Sequence, residues 1–243
     1  YACALRSAQL GLSVALVEQD KLGGTCLHRG CIPTKALLHA AEVADTVRHG
    51  PAIGIDASLG SIDMAMVLRY QQTVVGRLHK GLQGLVSAST ITYVEGAGRL
   101  VDAHTVAVGE REVTGRQVVL ATGSRPKVLP GLEIGGRIMT SDEALGLTDV
   151  PERVVVLGGG VIGVEFASVF ASFGASVTIV EALDRLVPAE EPTIISVDRE
   201  ALNTGRFVVV PDDLVDIVDD GVLVACDVAD RFERCLIVVH ILF

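Results

Sequence analysis

The chain has 243 residues, of which 49% are hydrophobic and 26 are glycine. That is enough for one large or two smaller cored domains, with the glycine content of an α/β protein rich in tight turns. A net charge of −10 without a long basic run argues against nucleic acid or an anionic membrane as partner. No apolar run is long enough to span a bilayer and no signal peptide opens the sequence, so the expected setting is soluble and cytoplasmic.

Taken in order, residues 1–10 read as a helix without a start signal, and Ser13 to Glu18 (SVALVE) as a short buried strand ending on an acid. A glycine-rich loop then carries Gly24, Thr25 and Cys26, and Cys31 opens a helix running to about His49. Pro33 suits that helix's first turn, where a missing N–H goes unnoticed. The positive end of the helix dipole favours a thiolate at Cys31, and Lys35 follows one turn later on the same face. Two thiols so spaced beside a fixed cation have the chemistry of a redox disulfide. A structural disulfide is one alternative. A zinc site of Cys26, His28 and Cys31 is another, but it lacks a fourth ligand with the usual spacing, so no metal is expected. Cys3, Cys226 and Cys235 show no motif spacing and are expected to be buried small hydrophobes.

Residues 51–60 read as a loop. Ile62 to Val86 has helical periodicity, with Met66, Val67, Tyr70, Val74, Leu78, Leu82 and Leu85 on one broad face. From Thr90 to Leu120 the pattern becomes short strands with glycine turns: ITYVEG, RLVDAHTVAV and REVTGRQVVLATG. Arg153 to Leu157 is a buried strand, Val161 to Phe173 a helix and Ser176 to Glu181 a strand. Later, 194–203 reads as a weak helix, and 207–210, 222–226 and 236–242 as strands. The apolar tail CLIVVHILF is expected to leave an aggregation-prone edge and suggests truncation or an altered reading near the end.

Two stretches repeat. LGLSVALVE from Leu10 and FGASVTIVE from Phe173 are identical at five of nine positions. Each is a helix end, a glycine and a strand closing on Glu, the second half of a nucleotide-binding βαβ unit. The later copy is complete: Gly158, Gly160 and Gly163 form GxGxxG between strand and helix, Ile162 lies within it, and Glu181 ends the next strand. The glycines permit a tight turn, close approach of a pyrophosphate and helix-on-strand packing, while the acid favours NAD over NADP. Setting the copies in register puts the earlier glycines ahead of Tyr1. The expectation is a chain that is incomplete at its start, whose first half binds its nucleotide poorly as given.

The segments GGTCLHRGCIPTK, ATGSRP and GGGVIGVEFA together resemble the flavin-dependent pyridine nucleotide–disulfide oxidoreductases, and among them the dihydrolipoamide dehydrogenases. The resemblance implies two Rossmann-like domains, each a three-layer α/β unit with a parallel sheet and an inserted antiparallel β-meander. Residues 1–148 would bind FAD and 149–243 NAD, both incomplete at the termini. Cys26 would be the exchange thiol and Cys31 the flavin-facing one, with Lys35 and Glu165 paired beside the flavin. Glu18, Gly24, Thr25, Lys35, Gly98, Ala121, Thr122 and Gly123 would line the FAD site; Gly158, Gly160, Ile162, Gly163 and Glu181 the NAD site. The implied reaction is oxidation of dihydrolipoamide by NAD. The partners would be the lipoyl group of a 2-oxo acid dehydrogenase complex, or another small disulfide, and a second copy as homodimer. None of the histidines (His28, His39, His49, His79, His104, His240) stands in the family's active-site context, and no dimerisation domain follows. These residues alone are therefore expected to lack lipoamide turnover; the contrasting possibility is a non-catalytic dinucleotide-binding fragment.

Overall fold

The computed structural model describes residues 1–129, 131–181 and 185–187, together with the backbone of two later strands, Val209–Val210 and Leu236–Val239. The readings of 194–203 as helix and 222–226 as strand, and the placement of Cys226 and Cys235, lie outside the described residues. The chain divides into two compact units, Tyr1–Ile32 with Gln72–Ser124, and Pro33–Gln71 with Arg125–Phe243. Two of the three boundaries fall inside helices, α3 (Cys31–His49) and α4 (Met64–Ser87), and the third lies between Ser124 and Arg125.

In the first unit, α1 (Ala2–Gln9) leads through Gly11, φ +79°, into β1 (Val14–Glu18). This strand pairs in parallel with β2 (Ile91–Glu95), from Val14 opposite Ile91 to Glu18 opposite Glu95. It is half-buried rather than buried as expected, because β2 is its one partner among the described residues. An apolar cluster of Ala4, Leu22, Leu27, Leu82, Val86 and Ile91 joins α1, the end of α4 and this sheet. A meander follows: β3 (Gly98–Leu100), β4 (Thr105–Val108) and β5 (Arg111–Thr114), all antiparallel. The sequence reading of RLVDAHTVAV as one strand is corrected, since Asp102 Oδ1 accepts the His104 N–H at 2.7 Å and turns the chain. QVVLATG, also expected as a strand, carries no strand pairing; Val119 and Leu120 are 65% and 68% exposed. An apolar run becomes a strand only where a neighbour supplies its hydrogen bonds.

The second unit holds a five-stranded parallel sheet in the order β6 (Ile138–Thr140), β10 (Leu236–Val239), β7 (Arg153–Leu157), β8 (Ser176–Val180), β9 (Val209–Val210). Helix α5 (Ser141–Ala144) follows β6, and α6 (Val161–Phe173) crosses from β7 to β8. β10 is no exposed edge, against the sequence expectation: Ile237 pairs with Ile138 on one side and Val155 on the other. The core comprises Val154 and Val156 of β7, Val177 and Ile179 of β8, and Phe166, Val169 and Phe170 of α6, with Leu37 and Ala41 of α3. Each such side chain contributes on the order of 1.5–3 kcal/mol by leaving water. α6 is apolar on almost every face, as befits a covered crossover helix. Strand neighbours diverge at β7, β8 lying on one side and β10 on the other. Ligands of open α/β sheets bind beside the carboxyl ends of strands at such a switch point.

Cys3 is exposed on α1, against the expectation of burial. On α4, Met66, Tyr70, Leu78 and Leu85 of the periodic row are exposed, and Leu82 alone of that row is buried.

Candidate functional site

The segment expected as a loop around Cys26 is a short helix, α2 (Gly24–Arg29), a correction with a local cause. Gly23, φ +120°, turns the chain so tightly that a Cβ there would overlap the Leu27 side chain. Leu27 is thereby buried against the loop, and one helical turn forms. Gly30 separates this turn from α3, which begins on Cys31 as expected, with Pro33 buried in its first turn. Cys26 and Cys31 are both exposed and not joined as a disulfide. Exposure leaves both sulfurs open to exchange with another thiol or disulfide.

Of the residues assigned to FAD, Thr25 and the 121–124 segment come together. The Thr25 hydroxyl donates to the Ser124 carbonyl at 3.1 Å and accepts the Ser124 N–H at 3.3 Å. Gly123 has φ +83°, and a Cβ there would stand 3.2 Å from Thr25 Oγ1. Ala121 and Thr122 are exposed chain without regular secondary structure before it, and Gly24, φ +64°, opens α2. Gly98 starts β3 where a Cβ would press on Val17 of β1 at 3.1 Å and Val106 of β4 at 3.2 Å, so its role in the fold is close packing of meander on strand. Glu18 ends β1, and its Oε1 accepts the Asp20 N–H at 3.0 Å. A carboxylate at a strand's carboxyl end and a positive-φ glycine turn fit the adenosine end of a dinucleotide.

In the second unit Lys35 Nζ and Glu165 form an ion pair, between α3 and α6. The glycine turn after β7 is built as its spacing predicts. Gly158 has φ +100°, and its N–H donates to the Val180 carbonyl at 2.8 Å. Gly160 is the N-cap of α6 and a Cβ there would meet nothing within 4 Å, whereas one on Gly163 would overlap the Gly158 carbonyl oxygen. Ile162 packs against the core. Glu181 Oε2 accepts the Gly159 N–H at 2.6 Å, joining the acid to the turn. An open N-cap, unpaired first-turn N–H groups and a carboxylate at the next strand end fit a pyrophosphate and its ribose.

Sequence reasoning missed several participants. Ser124, adjacent to ATG, supplies both partners of Thr25. Gly159 was passed over as a variable position, yet its carbonyl also accepts the Val187 N–H at 2.7 Å, and Leu186 packs where its side chain would be. Val187 adopts φ +47° to reach it. His28, weighed only as a zinc ligand, bonds the Leu22 carbonyl at 2.8 Å. Among the described residues there is no cluster able to hold a metal, and no helix long and apolar enough to cross a membrane.

The model for the family described as pyridine nucleotide-disulphide oxidoreductase matches residues 1–236. Dihydrolipoyl dehydrogenase of Bacillus subtilis is 40% identical over 241 residues, covering 90% of this chain and 51% of that protein. Dihydrolipoyl dehydrogenase 2 of Haloarcula marismortui is 42% identical over 208 residues, covering 82% and 44%. Among solved structures, the HOCl-induced flavoprotein disulfide reductase RclA from Escherichia coli superposes with a TM-score of 0.75 at 26% identity, covering 98% of this chain and 53% of that one. The chain thus spans about half the length of the curated relatives it matches.

Proposed function

The chain belongs to the pyridine nucleotide-disulphide oxidoreductase family, and we propose that its protein uses Cys26 and Cys31 to oxidise dihydrolipoamide with NAD as acceptor. The observation that carries this is the pair of exposed thiols, one on α2 and one on the first residue of α3. In this reading residues 1–148 hold FAD through Glu18, Gly24, Thr25, Gly98, Ala121, Thr122 and Gly123. Residues 149–243 hold NAD through Gly158, Gly160, Ile162, Gly163 and Glu181.

The steps on the chain's own residues balance as thiol exchange. One substrate thiolate attacks Cys26 Sγ of the oxidised pair, the Cys26–Cys31 bond breaks, and Cys31 leaves as a thiolate. The second substrate thiol attacks the substrate sulfur held on Cys26, releasing the cyclic disulfide, and its proton passes to the departing Cys26 sulfur. A bound flavin would supply two-electron acceptance from Cys31 and hydride transfer to a nicotinamide. Lys35, paired with Glu165, would supply positive charge toward a bound flavin. Glu181 accepts a ribose hydroxyl and repels a 2′-phosphate. The lipoyl group of a 2-oxo acid dehydrogenase complex is the substrate carrier in this reading, and a second copy completes a homodimer.

A second reading, reduction of another small disulfide by the same pair, is supported by similarity to the E. coli flavoprotein disulfide reductase. Steady-state assays of the whole protein with dihydrolipoamide and NAD separate the two. Turnover lost in both Cys26→Ser and Cys31→Ser supports the first; flavin-loaded protein inert toward dihydrolipoamide but active on another dithiol supports the second. A protein that retains no flavin sinks both.

A further inference from the structure

Three of the four residues between the thiols grip the loop ahead of them. Leu27 packs on Gly23, His28 donates Nε2–H to the Leu22 carbonyl at 2.8 Å, and Arg29 pairs with Asp20 at 3.0 Å. Leu27 is buried by its grip and His28 half-buried, while Cys26 stays exposed. Behind His28 stands His79 of α4, its ring edge-on at 82° with centroids 4.8 Å apart. That is aromatic contact distance, and it places two titratable rings at the back of the helix that carries Cys26.

We propose that His28 and His79 form a proton-sensitive clasp that holds α2 against the Lys21–Gly23 loop, making His79 a positioning residue for the Cys26 thiol. The groups facing His79 are His28 from α2 and Lys21 from the loop. The loop's carboxylate, Asp20, is engaged by Arg29. A proton on His79 therefore meets like charge from Lys21, and from His28 once that ring is charged, with no acid facing it among these groups. Burial first, then His28 and Lys21, hold the His79 imidazole below its ordinary value of 6.5. The folded form consequently binds that proton less readily than the open form. The closed clasp keeps its full stability above pH 6.5 and loses it as the pH falls from there toward the lowered value. A six-residue helix has little stability of its own, so an opened clasp loosens α2 and presents Cys26 more freely.

The consequence for catalysis rests on the reading of Cys26 as the exchange thiol, but the clasp itself is tested without flavin or turnover. The whole protein is reduced and treated briefly with iodoacetamide at a series of pH values from about 8 to 5, and labelling at Cys26 and Cys31 is quantified by peptide mass spectrometry. Their ratio reports the presentation of Cys26 relative to Cys31. It is expected to rise about fivefold in the wild type as pH falls through the histidine range. His79→Phe keeps an aromatic edge without a titrating group, so its ratio stays low and flat; His79→Lys is charged throughout and stays high. A flat wild-type ratio, or a step that survives in His79→Phe, overturns the proposal, and the wild-type curve alone decides if a variant fails to fold. Should the clasp hold while Cys26→Ser leaves turnover intact, the exchange-thiol reading fails and the clasp does not.

Discussion

Thr25 and Ser124, 99 residues apart in the chain, exchange two hydrogen bonds through a single hydroxyl, as donor at 3.1 Å and acceptor at 3.3 Å. The pair ties the start of α2 to the turn at Gly123. Thr25→Val removes both bonds while keeping the shape of the side chain. The atoms are exposed, so water takes over part of the loss, and the expected destabilisation is about 0.5–1.5 kcal/mol. Thr25→Ser should recover most of it. Urea unfolding checks the energies, and flavin content after purification checks whether the turn is part of the FAD site. A valine variant as stable as wild type with undiminished flavin content contradicts both assignments.

The glycines of the turn after β7 should separate into one needed for the fold and one needed for the ligand. On Gly163 a methyl group meets a backbone carbonyl, which cannot move aside as a side chain can. Gly163→Ala should therefore cost about 1–3 kcal/mol. At Gly160 the space is open and φ is −69°, so alanine there should shift stability by less than about 0.5 kcal/mol. That open space is where the pyrophosphate would lie, and NADH affinity should drop tenfold or more, roughly 1.4 kcal/mol. Denaturation curves with NADH fluorescence titrations on both variants test this. Equal destabilisation of the two, or normal NADH binding by Gly160→Ala, rules out the assignment.

What was legible in the sequence was local. α3 falls on Cys31–His49 as the spacing predicts, because proline in the first turn and apolar periodicity agree. The β7–turn–α6–β8 unit is equally consistent at every level, from glycine spacing to the terminal Glu181. What was not legible depends on partners. The row on α4 reports a face but not whether anything covers it, so Met66, Tyr70, Leu78 and Leu85 stay exposed. QVVL has strand composition and no strand pairing. The position of β10 between β6 and β7 is a matter of pairing order, to which no local pattern speaks. Gly159 and His28 escaped notice because each acts mainly through backbone atoms or a neighbour's carbonyl.

The Lys35–Glu165 pair should matter more to chemistry than to stability. Lys35 is 56% exposed and Glu165 20%, so solvent screens the cation's side of the interaction. Lys35→Met should lower stability by no more than about 1 kcal/mol, and a double-mutant cycle with Glu165→Gln should return a coupling of about 0.5–1 kcal/mol. If the ammonium stabilises charge on the reduced flavin, the same variant should slow flavin reduction by tenfold or more in stopped-flow measurements. Full-speed reduction in Lys35→Met would remove Lys35 from the site and leave a surface ion pair.

Acid should release the cap of α5. Thr140 N–H donates to Glu143 Oε2 at 2.7 Å, the Thr140 hydroxyl donates to the same oxygen, and that hydroxyl accepts the Asp142 N–H at 3.2 Å. The hydrogen bond from the Thr140 side chain, working against desolvation and aided by backbone N–H groups, holds the Glu143 carboxyl below its ordinary value of 4.5. The folded state thus binds this proton less readily than the unfolded chain. The cap's contribution is complete above pH 4.5 and disappears as pH falls through the lowered folded value. Glu143→Gln keeps an acceptor but has no charge to lose. Wild type should exceed it by about 0.5–1 kcal/mol near pH 7, and the two should converge toward pH 3. Urea unfolding of both proteins across that range measures the difference, and a gap that stays constant to pH 3 would mean that the carboxylate's charge plays no part in the cap.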